Sequence, residues 1–317
     1  MWLVNNVSKT TDRNNVDFKW ERLMYKLVLS GATGYIGKNF VQLLSSKYKI
    51  FCIVRKVSNI DDIRNIRCTI LSYSDEKELY GVLDRIKPDV AIHLAGVFFG
   101  GHDSNSIGEM IDCNVRFSTV FLDAVVKAGC RRFVNTGSYW QNYLCDIYNP
   151  VNLYAATKQA FEDIIRYYIE AESISALTLT IFDTYGPGDN RKKILNSLMK
   201  LRDGESIDMS RGNQKLFLCY INDVIKAYDV SIERIMNISD GIMEKYSVRT
   251  DTPIPLREIV ERLLSISGRT ININWGALPN RNREIENPSG IGKTIPDWKP
   301  DYDLDRGLKL FSDSYLK

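Results

Sequence analysis

Histidine is scarce in this sequence, with two residues among 317, and no CxxC pair occurs. His93 and His102 lie nine residues apart with no further pair of His or Cys at the spacing of a zinc site. The six cysteines are scattered and mostly lie in apolar runs, where a free thiol behaves as a small hydrophobic group: Cys52, Cys68, Cys113, Cys130, Cys145 and Cys219. We therefore predict no metal site and a reducing, cytoplasmic environment.

Long apolar runs and an excess of charge of one sign are also missing. No uninterrupted apolar run approaches the roughly 18 residues that a membrane helix needs, and the first 24 residues lack the apolar core of a signal peptide. The formal charge of +3 comes from 42 Lys and Arg interleaved with 39 Asp and Glu. That charge is too small for a polyanion-binding surface, so we expect a soluble protein that binds neither a membrane nor nucleic acid.

Residues 1–24 carry two Asn-Asn pairs and charges of both signs before the first convincing strand. They predict an N-terminal arm, either disordered or packed on a neighbour. Met24 is an alternative start of the chain.

From residue 25 onward, short β-rich runs alternate with helical periods. The predicted strands are YKLVLSG, KIFCIVR, RCTILS, DVAIHLAG, RRFVNTGS and ALTLTIF, and helices fill the intervals between them. Strands that are continuous apolar runs, joined by helices, indicate a parallel sheet covered on both faces. The sequence therefore predicts an α/β fold with a doubly wound parallel sheet of the Rossmann type.

The stretch LSGATGYIGK, residues 29–38, places three glycines at GxxGxxG spacing between the first strand and the first helix. A lone motif of this kind is often only a turn, but this position faces backbone N–H groups of a helix N-terminus toward a pyrophosphate. Gly31 permits the tight turn, Gly34 removes the side chain where phosphates approach, and Gly37 lets helix and strand pack closely. We predict a dinucleotide site formed by Gly31, Thr33, Gly34, Tyr35, Ile36 and Gly37.

The end of the second strand indicates which dinucleotide is bound. An acidic residue there suits a free ribose 2′-hydroxyl, and an arginine suits a 2′-phosphate. Here the strand ends VRK, where Arg55 offers a planar donor fork and Lys56 a second charge. The alternative is a solvated basic turn. NADPH is therefore favoured over NAD, which in turn favours a reductase.

After YGPGD at 185–189, strand-like and helical segments no longer alternate regularly. This part contains Gly204, Gly212 and a Pro/Asn-rich stretch. We predict an NAD(P)-binding Rossmann domain over 25–183, with KLFLCYI and KYSVRT, about 215–250, returning to the main sheet. Residues 184–214 and 251–317 would form a smaller C-terminal substrate-binding lobe.

Tyr154 and Lys158 lie four residues apart in PVNLYAATKQAFEDII, so they share one face of a helix. An ammonium beside a phenol stabilises the phenolate and lowers the phenol pKa from about 10, so Tyr154 would exchange a proton with a carbonyl or alcohol oxygen. Ser138, at the end of the strand NTGS, would hydrogen-bond the same oxygen. Tyr73 and Lys77 have the same spacing, but we predict that they lie on the surface at a polar helix start.

Glycine loop, Ser and Tyr-x3-Lys in this order resemble the short-chain dehydrogenase/reductases, and in particular their extended branch, the NAD-dependent epimerase/dehydratase family. DVAIHLAG, DCNVRFSTVFLDA and TYGPGD match that branch, so the resemblance covers about residues 25–310. The branch acts largely on nucleotide-activated sugars. The resemblance implies that Ser138, Tyr154 and Lys158 are catalytic and that Asn114 completes a proton relay.

The same resemblance implies further neighbours of the cofactor and an assembly. Leu94, Ala95 and Gly96, at the end of the fourth strand, would contact the dinucleotide, and His93 would belong to the cofactor-side wall. Relatives commonly form homodimers through the helices that carry Asn114 and Tyr154. The runs VRFSTVFLDAVV and FEDIIRYYI are apolar enough for such a contact, although burial within one chain is the alternative.

The residues after the fifth strand distinguish members of the branch. Sugar dehydratases carry an Asp-Glu pair there, whereas this chain has Tyr139 and Trp140, which cannot do that acid–base work. We expect these aromatic residues to shape the sugar pocket, with simple packing as an equal alternative. Epimerases of the branch usually retain NAD and keep an acidic residue where Arg55 stands.

WGALPNRNREIE at 275–286 and DWKPDYDLDRGLK at 297–309 resemble the nucleotide-sugar 4-ketoreductases, the CDP-abequose synthases among them. In that pattern the region of Arg281 and Glu284 contacts the nucleotide and diphosphate, and Arg281 is the predicted phosphate contact. Arg283 is either a further contact or part of a solvated loop.

Two positions depart from the pattern. Where many relatives have Arg-Asp-Phe, this chain has Leu216, Phe217 and Leu218, so a usual phosphate arginine is missing, and Lys215 or Arg211 is the predicted substitute. Asp183, which we assign to substrate binding, stands where many relatives have Asn.

The predicted function is NADPH-dependent reduction of the 4-keto group of a nucleotide-linked deoxysugar, a precursor of surface polysaccharide. Hydride would come from the nicotinamide and the proton from Tyr154. The alternatives are an NAD(P)-retaining epimerase and a non-catalytic NADPH-binding protein on the same fold.

Overall fold

The computed structural model of the protein describes residues 24–144, 147–288 and 292–315, so the predicted arm lies outside it except for Met24. The strands are β1 (Lys26–Ser30), β2 (Lys49–Arg55), β3 (Thr69–Tyr73), β4 (Val90–His93), β5 (Arg132–Ser138), β6 (Ser175–Ile181), β7 (Asp183–Tyr185), β8 (Ser206–Met209), β9 (Lys215–Leu216), β10 (Leu218–Tyr220), β11 (Met243–Val248), β12 (Ile254–Pro255) and β13 (Asn272–Trp275). The helices are α1 (Tyr35–Leu44), α2 (Glu76–Ile86), α3 (Ser104–Ile111), α4 (Ser118–Lys127), α5 (Leu153–Glu172), α6 (Ile194–Lys200), α7 (Ile221–Asn237), α8 (Leu256–Ser267) and α9 (Leu304–Asp313).

Among these elements, seven strands form one parallel sheet in the order β11-β6-β5-β4-β1-β2-β3. From β1 the chain runs outward to β3, then crosses back to β4 and continues outward on the other side. The order reverses between β1 and β4, which is where ligands bind in such sheets, beyond the carboxyl ends of the strands. The predicted doubly wound α/β fold is confirmed.

The central strand β1 shows why the sequence has continuous apolar runs. Leu27 and Leu29 belong to one cluster of buried residues together with Phe40 of α1, whereas Val28 belongs to a second cluster with Phe121 of α4. Successive side chains of a strand point to opposite faces. Because helices cover both faces, the three central positions of the strand are all apolar.

The prediction for KLFLCYI is wrong, because residues 215–220 do not join the main sheet. β9 pairs with β12 and β10 pairs with β7, each in a two-stranded sheet. The free edge of β6 is instead taken by β11, which pairs in register from Met243 to Val248. A strand has two edges, and β5 and β11 occupy both edges of β6, so no edge is left for residues 215–220.

A π-helical turn joins α3 to α4 over Asp112–Phe117. Asn114 lies in this turn with its side chain buried. Turns of this kind interrupt regular helices and frequently occur at functional sites.

Many apolar residues of the two runs predicted for a dimer pack inside the chain. Phe121, Leu122 and Val125 of α4 and Phe161 and Ile165 of α5 are all buried in one cluster. The homodimer therefore stays a prediction.

Three further findings concern the described part of the chain only. All of its cysteines are free thiols. None of its helices combines the length and apolarity needed to cross a membrane. No cluster of three or more potential metal-ligating side chains occurs within it.

Candidate active site

The glycine loop between β1 and α1 has the close approaches that its sequence predicts. Gly31 has φ +75°, and a Cβ there would lie 2.5 Å from the backbone nitrogen of Ala95. A Cβ at Gly37 would collide with the carbonyl oxygen of Gly31. Gly34 caps α1 without a side-chain hydrogen bond, so the N–H groups of the first helical turn are open to an anion.

Tyr35 brings an unpaired hydroxyl to the same loop. Its side chain is 7% exposed, and its Oη has no hydrogen-bond partner among the described residues. The Arg191 guanidinium lies 4.4 Å above the Tyr35 ring and donates to both carboxylate oxygens of Asp189 at 2.7 Å. Buried polar groups are nearly always paired, so an orphaned hydroxyl beside an open helix N-terminus fits a ligand rich in oxygen acceptors. The loop therefore fits a dinucleotide.

Arg55 ends β2, as predicted, and lies exposed at the carboxyl edge of the sheet. It forms no ion pair with any residue in the described ranges. Lys56, in contrast, is held by Ser74 at 2.9 Å and by Glu78 at 3.3 Å. Of the two basic residues, Arg55 is the one whose charge is available to a phosphate.

The surface prediction for Tyr73 is wrong. Tyr73 is the last residue of β3, opposite Arg55 in register, and its half-buried ring stacks on Phe117 with centroids 6.1 Å apart. The helix α2 begins only at Glu76, after the N-cap Asp75. Tyr73 and the exposed Lys77 therefore belong to different elements and share no face.

Ser138, Tyr154 and Lys158 meet at the carboxyl edge of the sheet. Ser138 is the last residue of β5, and the other two lie in the first two turns of α5. Asn152 starts that helix by accepting a hydrogen bond from the backbone N–H of Ala155 at 3.1 Å. Ser138 lies close enough to Tyr154 to lower the pKa of its phenol. The structure thus brings the three predicted residues together.

The protonation states of the pair follow from burial. Burial raises the pKa of Tyr154 to about 12, although Ser138 and the charge of Arg191 lower it. Burial lowers the pKa of Lys158 to about 8. The prediction of a lowered phenol pKa is wrong for this chain, because desolvation of the phenolate outweighs the charges. At neutral pH Tyr154 is protonated and Lys158 is positively charged, so Tyr154 is in the form that donates a proton.

Asn114 holds the segment that follows β4. Its Oδ1 accepts from the Val97 N–H at 2.7 Å, and its Nδ2 donates to the Val97 carbonyl at 2.9 Å and to Thr157 Oγ1 at 3.0 Å. A Cβ at Gly96 would lie 3.3 Å from Lys158 Nζ, so the missing side chain leaves room for the ammonium group. These contacts position the segment, and the relay role of Asn114 stays a prediction.

Phe98, in the segment after β4, is a site residue that the sequence analysis missed. Its ring is 54% exposed and lies edge-on to Tyr154, 5.0 Å between centroids, and to Trp140, 5.3 Å. An exposed aromatic ring beside Tyr154 leaves an apolar surface open at this edge of the sheet. The only sequence signal is an apolar pair before two glycines, FFGG, which is common in loops.

Tyr139 and Asp183, both predicted to bind substrate, are bonded to each other. Tyr139 Oη donates to Asp183 Oδ2 at 2.7 Å, and Lys193 Nζ lies 3.6 Å from Asp183 Oδ1. Burial raises the pKa of Tyr139 well above its ordinary value, Asp183 adds to this, and Arg281 opposes it. The exposed Arg281 therefore lies close enough to act on Tyr139. The substrate contacts themselves stay predictions.

Arg283 is not a solvated loop residue. Its Nε donates to the Pro150 carbonyl at 3.1 Å, and its guanidinium lies 4.3 Å above the Tyr143 ring. Arg283 therefore attaches the loop that carries Arg281 to the segment after β5.

A buried polar network behind Ser138 also escaped the sequence analysis. The Ser138 N–H donates to Gln141 Oε1 at 2.8 Å, and Gln141 Nε2 donates to Glu162 Oε1 at 2.9 Å. Glu162, 3% exposed, accepts from Lys245 Nζ at 2.8 Å. The network ties the end of β5 to α5 and β11. The available signal was Glu162 itself, a carboxylate four residues after Lys158 on the buried face.

His93 does not belong to a cofactor-side wall. It is fully buried, with Nδ1 2.7 Å from Ser30 Oγ and Nε2 2.9 Å from Ser118 Oγ. Its ring stacks on Phe121 in the helix layer. Burial lowers the pKa of His93 well below 6.5, so it is a neutral core residue.

Hydride transfer needs a dinucleotide held beside a group that exchanges a proton, and one edge of this sheet carries the glycine loop, which fits a dinucleotide, and the protonated Tyr154. That arrangement defines a Rossmann-fold oxidoreductase. Within this class the chain belongs to the NAD dependent epimerase/dehydratase family, whose family model matches residues 27–243. It is an NAD(P)-dependent oxidoreductase of the group that modifies nucleotide sugars.

The chain is similar to CDP-abequose synthases along most of its length. It is 28% identical over 270 residues to that of Yersinia pseudotuberculosis, covering 83% of this chain and 91% of the relative. It is 26% identical to that of Salmonella typhimurium, covering 89% and 96%. Among solved structures, MoeE5 in complex with UDP-glucuronic acid and NAD has a TM-score of 0.76 at 19% identity, covering 91% of this chain and 98% of that one. This last likeness shows the fold.

Proposed function

We propose that the protein reduces the 4-keto group of a nucleotide-linked deoxysugar with NADPH, in the synthesis of a surface-polysaccharide precursor. The carrying observation is the protonated, half-buried Tyr154 beside Ser138 and one helical turn from the Lys158 ammonium. Tyr139 and Trp140, which cannot act as an acid–base pair, argue against dehydration. The similarity to CDP-abequose synthases supports a nucleotide-sugar substrate.

The side chains have separate tasks in this reaction. Bound NADPH supplies the hydride. Ser138 Oγ and Tyr154 Oη hold the ketone oxygen, and Tyr154 gives its proton to that oxygen as negative charge develops there. The phenolate that is left lies one helical turn from Lys158, whose charge stabilises it. Phe98 and Trp140 shield this oxygen from water.

A panel of 4-keto-6-deoxy sugar nucleotides with different bases tests the proposal directly. NADPH oxidation with one of them is the expected result. Turnover of a nucleotide sugar without net NADPH consumption would favour the NAD(P)-retaining epimerase. Tight NADPH binding with no oxidation by any member would favour the non-catalytic protein. Location in the cytoplasm and a homodimer are part of the same proposal.

Replacing Arg55 by Asp should weaken NADPH binding at least tenfold more than NADH binding. Arg55 is exposed and unpaired at the end of β2, and a charge-assisted hydrogen bond to a phosphate contributes about 1.5–3 kcal/mol. Fluorescence titration with the two reduced cofactors measures the ratio.

The matched control is Lys56→Asp, the same change of charge one residue on. Lys56 is already held by Ser74 and Glu78, so its loss should alter the ratio far less. Equal affinity of the wild-type protein for NADH and NADPH would show that the argument from Arg55 is wrong.

The rate of ketone reduction should be level near neutrality and fall as the pH rises through about 8. Lys158 loses its proton there, and the phenolate formed in the reaction then lacks its cation. Tyr154, with a pKa of about 12, stays protonated throughout this range. The pH profile of kcat/KM measures the effect. A rate that rises through pH 8 would mean that Tyr154 acts as a base, as the first oxidation step of an epimerase requires.

A further inference from the structure

The role of Lys215 and Arg211, predicted to replace the missing phosphate arginine, stays a prediction. Leu216–Leu218 carry no cation. Lys215 is exposed in β9, and its backbone N–H donates to the Glu286 carbonyl at 2.8 Å. Arg211 is also exposed, and its side chain lies near Gly276 at the end of β13. The guanidinium that lies on the ring of Phe217, in the middle of the cation-free stretch, belongs to neither of them.

We propose that Arg249 binds the diphosphate of the substrate, an inference that rests on the proposed function. Arg249 directly follows β11, at the carboxyl edge of the sheet where Ser138 also lies. Its guanidinium lies 5.0 Å above the ring of Phe217. A cation is therefore present beside the stretch that lacks one, although it comes from another strand.

The hydrogen bonding of Arg249 is incomplete. Its Nη1 donates to the Thr250 carbonyl at 3.2 Å, but its Nε is buried without a partner in the described ranges. A buried donor of a charged group costs free energy when it is unpaired. The guanidinium fork matches the oxygens of a phosphate, so a phosphate would satisfy this donor.

A second unpaired atom lies in the same neighbourhood. Glu284 Oε2 is buried without a partner among the residues described. Its neighbour Ile285 packs against the aromatic cluster that contains Phe217. A cationic donor on this cluster and an anionic acceptor on the residue before Ile285 are thus both unpaired, and a ligand with both acceptors and donors would satisfy both. A nucleoside diphosphate has phosphate oxygens for Arg249 and hydroxyl donors for Glu284.

The same aromatic cluster connects this position to the proton donor. Tyr139 follows Ser138, and its ring stacks on Phe182 with centroids 4.7 Å apart. Phe182 contacts Phe217 at 5.3 Å, and Phe217 carries Arg249 on its face. The aromatic cluster of Tyr139, Phe182 and Phe217 therefore extends from the residue next to Ser138 to Arg249. A sugar bound at Ser138 would extend its diphosphate along this cluster.

The test compares nucleoside diphosphates with the matching nucleosides, by calorimetry on the full chain saturated with NADP. CDP, dTDP, GDP and UDP are the probes, and the one that binds wild type most tightly is carried forward. Arg249→Met should weaken binding of that diphosphate at least tenfold, because one charge-assisted contact is lost. It should leave the affinity for the matching nucleoside unchanged. Arg249→Lys should keep part of the preference, since it keeps the charge. Unchanged NADPH affinity and thermal midpoint show that each variant is folded.

Lys215→Met and Arg211→Met are the matched controls and should leave the preference intact. If Arg249→Met binds the diphosphate as wild type does, or if a control loses the preference instead, the assignment of Arg249 is overturned. The assignment of Arg249 is also wrong if the wild-type protein binds none of the four diphosphates more tightly than the matching nucleoside. A further outcome is that the wild-type protein binds a diphosphate and yet oxidises no NADPH with any 4-keto sugar nucleotide. That result would contradict only the proposed function, because the comparison at Arg249 measures binding and needs no turnover.

Discussion

Tyr154→Phe should lower kcat for ketone reduction by at least a hundredfold and leave KM almost unchanged. The substitution removes one hydroxyl and keeps the ring that packs against Phe98, so the binding surface persists while the proton donor is lost. General acid catalysis contributes roughly 10²–10⁴-fold, and the loss belongs to the transition state. Steady-state kinetics on the best 4-keto sugar nucleotide measures both constants.

The control for this variant is Tyr167→Phe. Tyr167 lies on the same helix, α5, with an exposed side chain, so removing its hydroxyl should leave kcat and KM as they are. If Tyr154→Phe keeps more than about a tenth of the wild-type kcat, where a general acid accounts for at least a hundredfold, Tyr154 is not the proton donor.

Lys158→Met should lower kcat by about 10²–10³-fold, the effect of removing one preorganised electrostatic contact, and should also weaken NADPH binding. Lys158 is 5% exposed, and its ammonium is one helical turn from the phenolate that the reaction forms. Methionine fills similar space without charge. The family resemblance adds a second role, because this lysine would also hold the nicotinamide ribose. Kinetics and cofactor titration separate the two losses.

Lys158→Arg should not restore activity, although it keeps the charge. The ammonium lies against Gly96, where even a Cβ would be 3.3 Å away, so the larger guanidinium does not fit this space. Lys127→Met, at an exposed end of α4, serves as the control and should behave like wild type. A loss of less than tenfold in kcat for Lys158→Met would contradict the role assigned to its charge.

The elements of the main sheet were predictable because their patterns are local. Strands β1, β2 and β4 are each centred on a short apolar run, and burial on both faces requires that composition whatever the neighbouring strand is. The glycine loop was predictable because its spacing is local and Gly37 must clear the carbonyl oxygen of Gly31, although the close approach of Gly31 to Ala95 comes from the fold. The spacing of Tyr154 and Lys158 likewise depends only on the helical period.

Predictions failed where two distant segments compete or combine. Residues 215–220 are as apolar as a sheet strand, yet β11 occupies the edge of β6 that they would need. Tyr73 and Lys77 have helical spacing, but β3 extends through Tyr73 to pair with β2. The pKa of Tyr154 moved upward because burial, which depends on the whole fold, exceeds the effect of nearby charges.

The sequence by itself determined the fold class, the dinucleotide loop and the grouping of Ser138, Tyr154 and Lys158, because periodicity and strand ends place each of them. The tertiary structure alone decided that Phe98 lies against Tyr154, that Gln141 bonds Glu162 and that Arg249 lies on Phe217. These contacts join segments far apart in the chain. No repeat or spacing connects their members in the sequence, and they meet only when the whole fold is assembled.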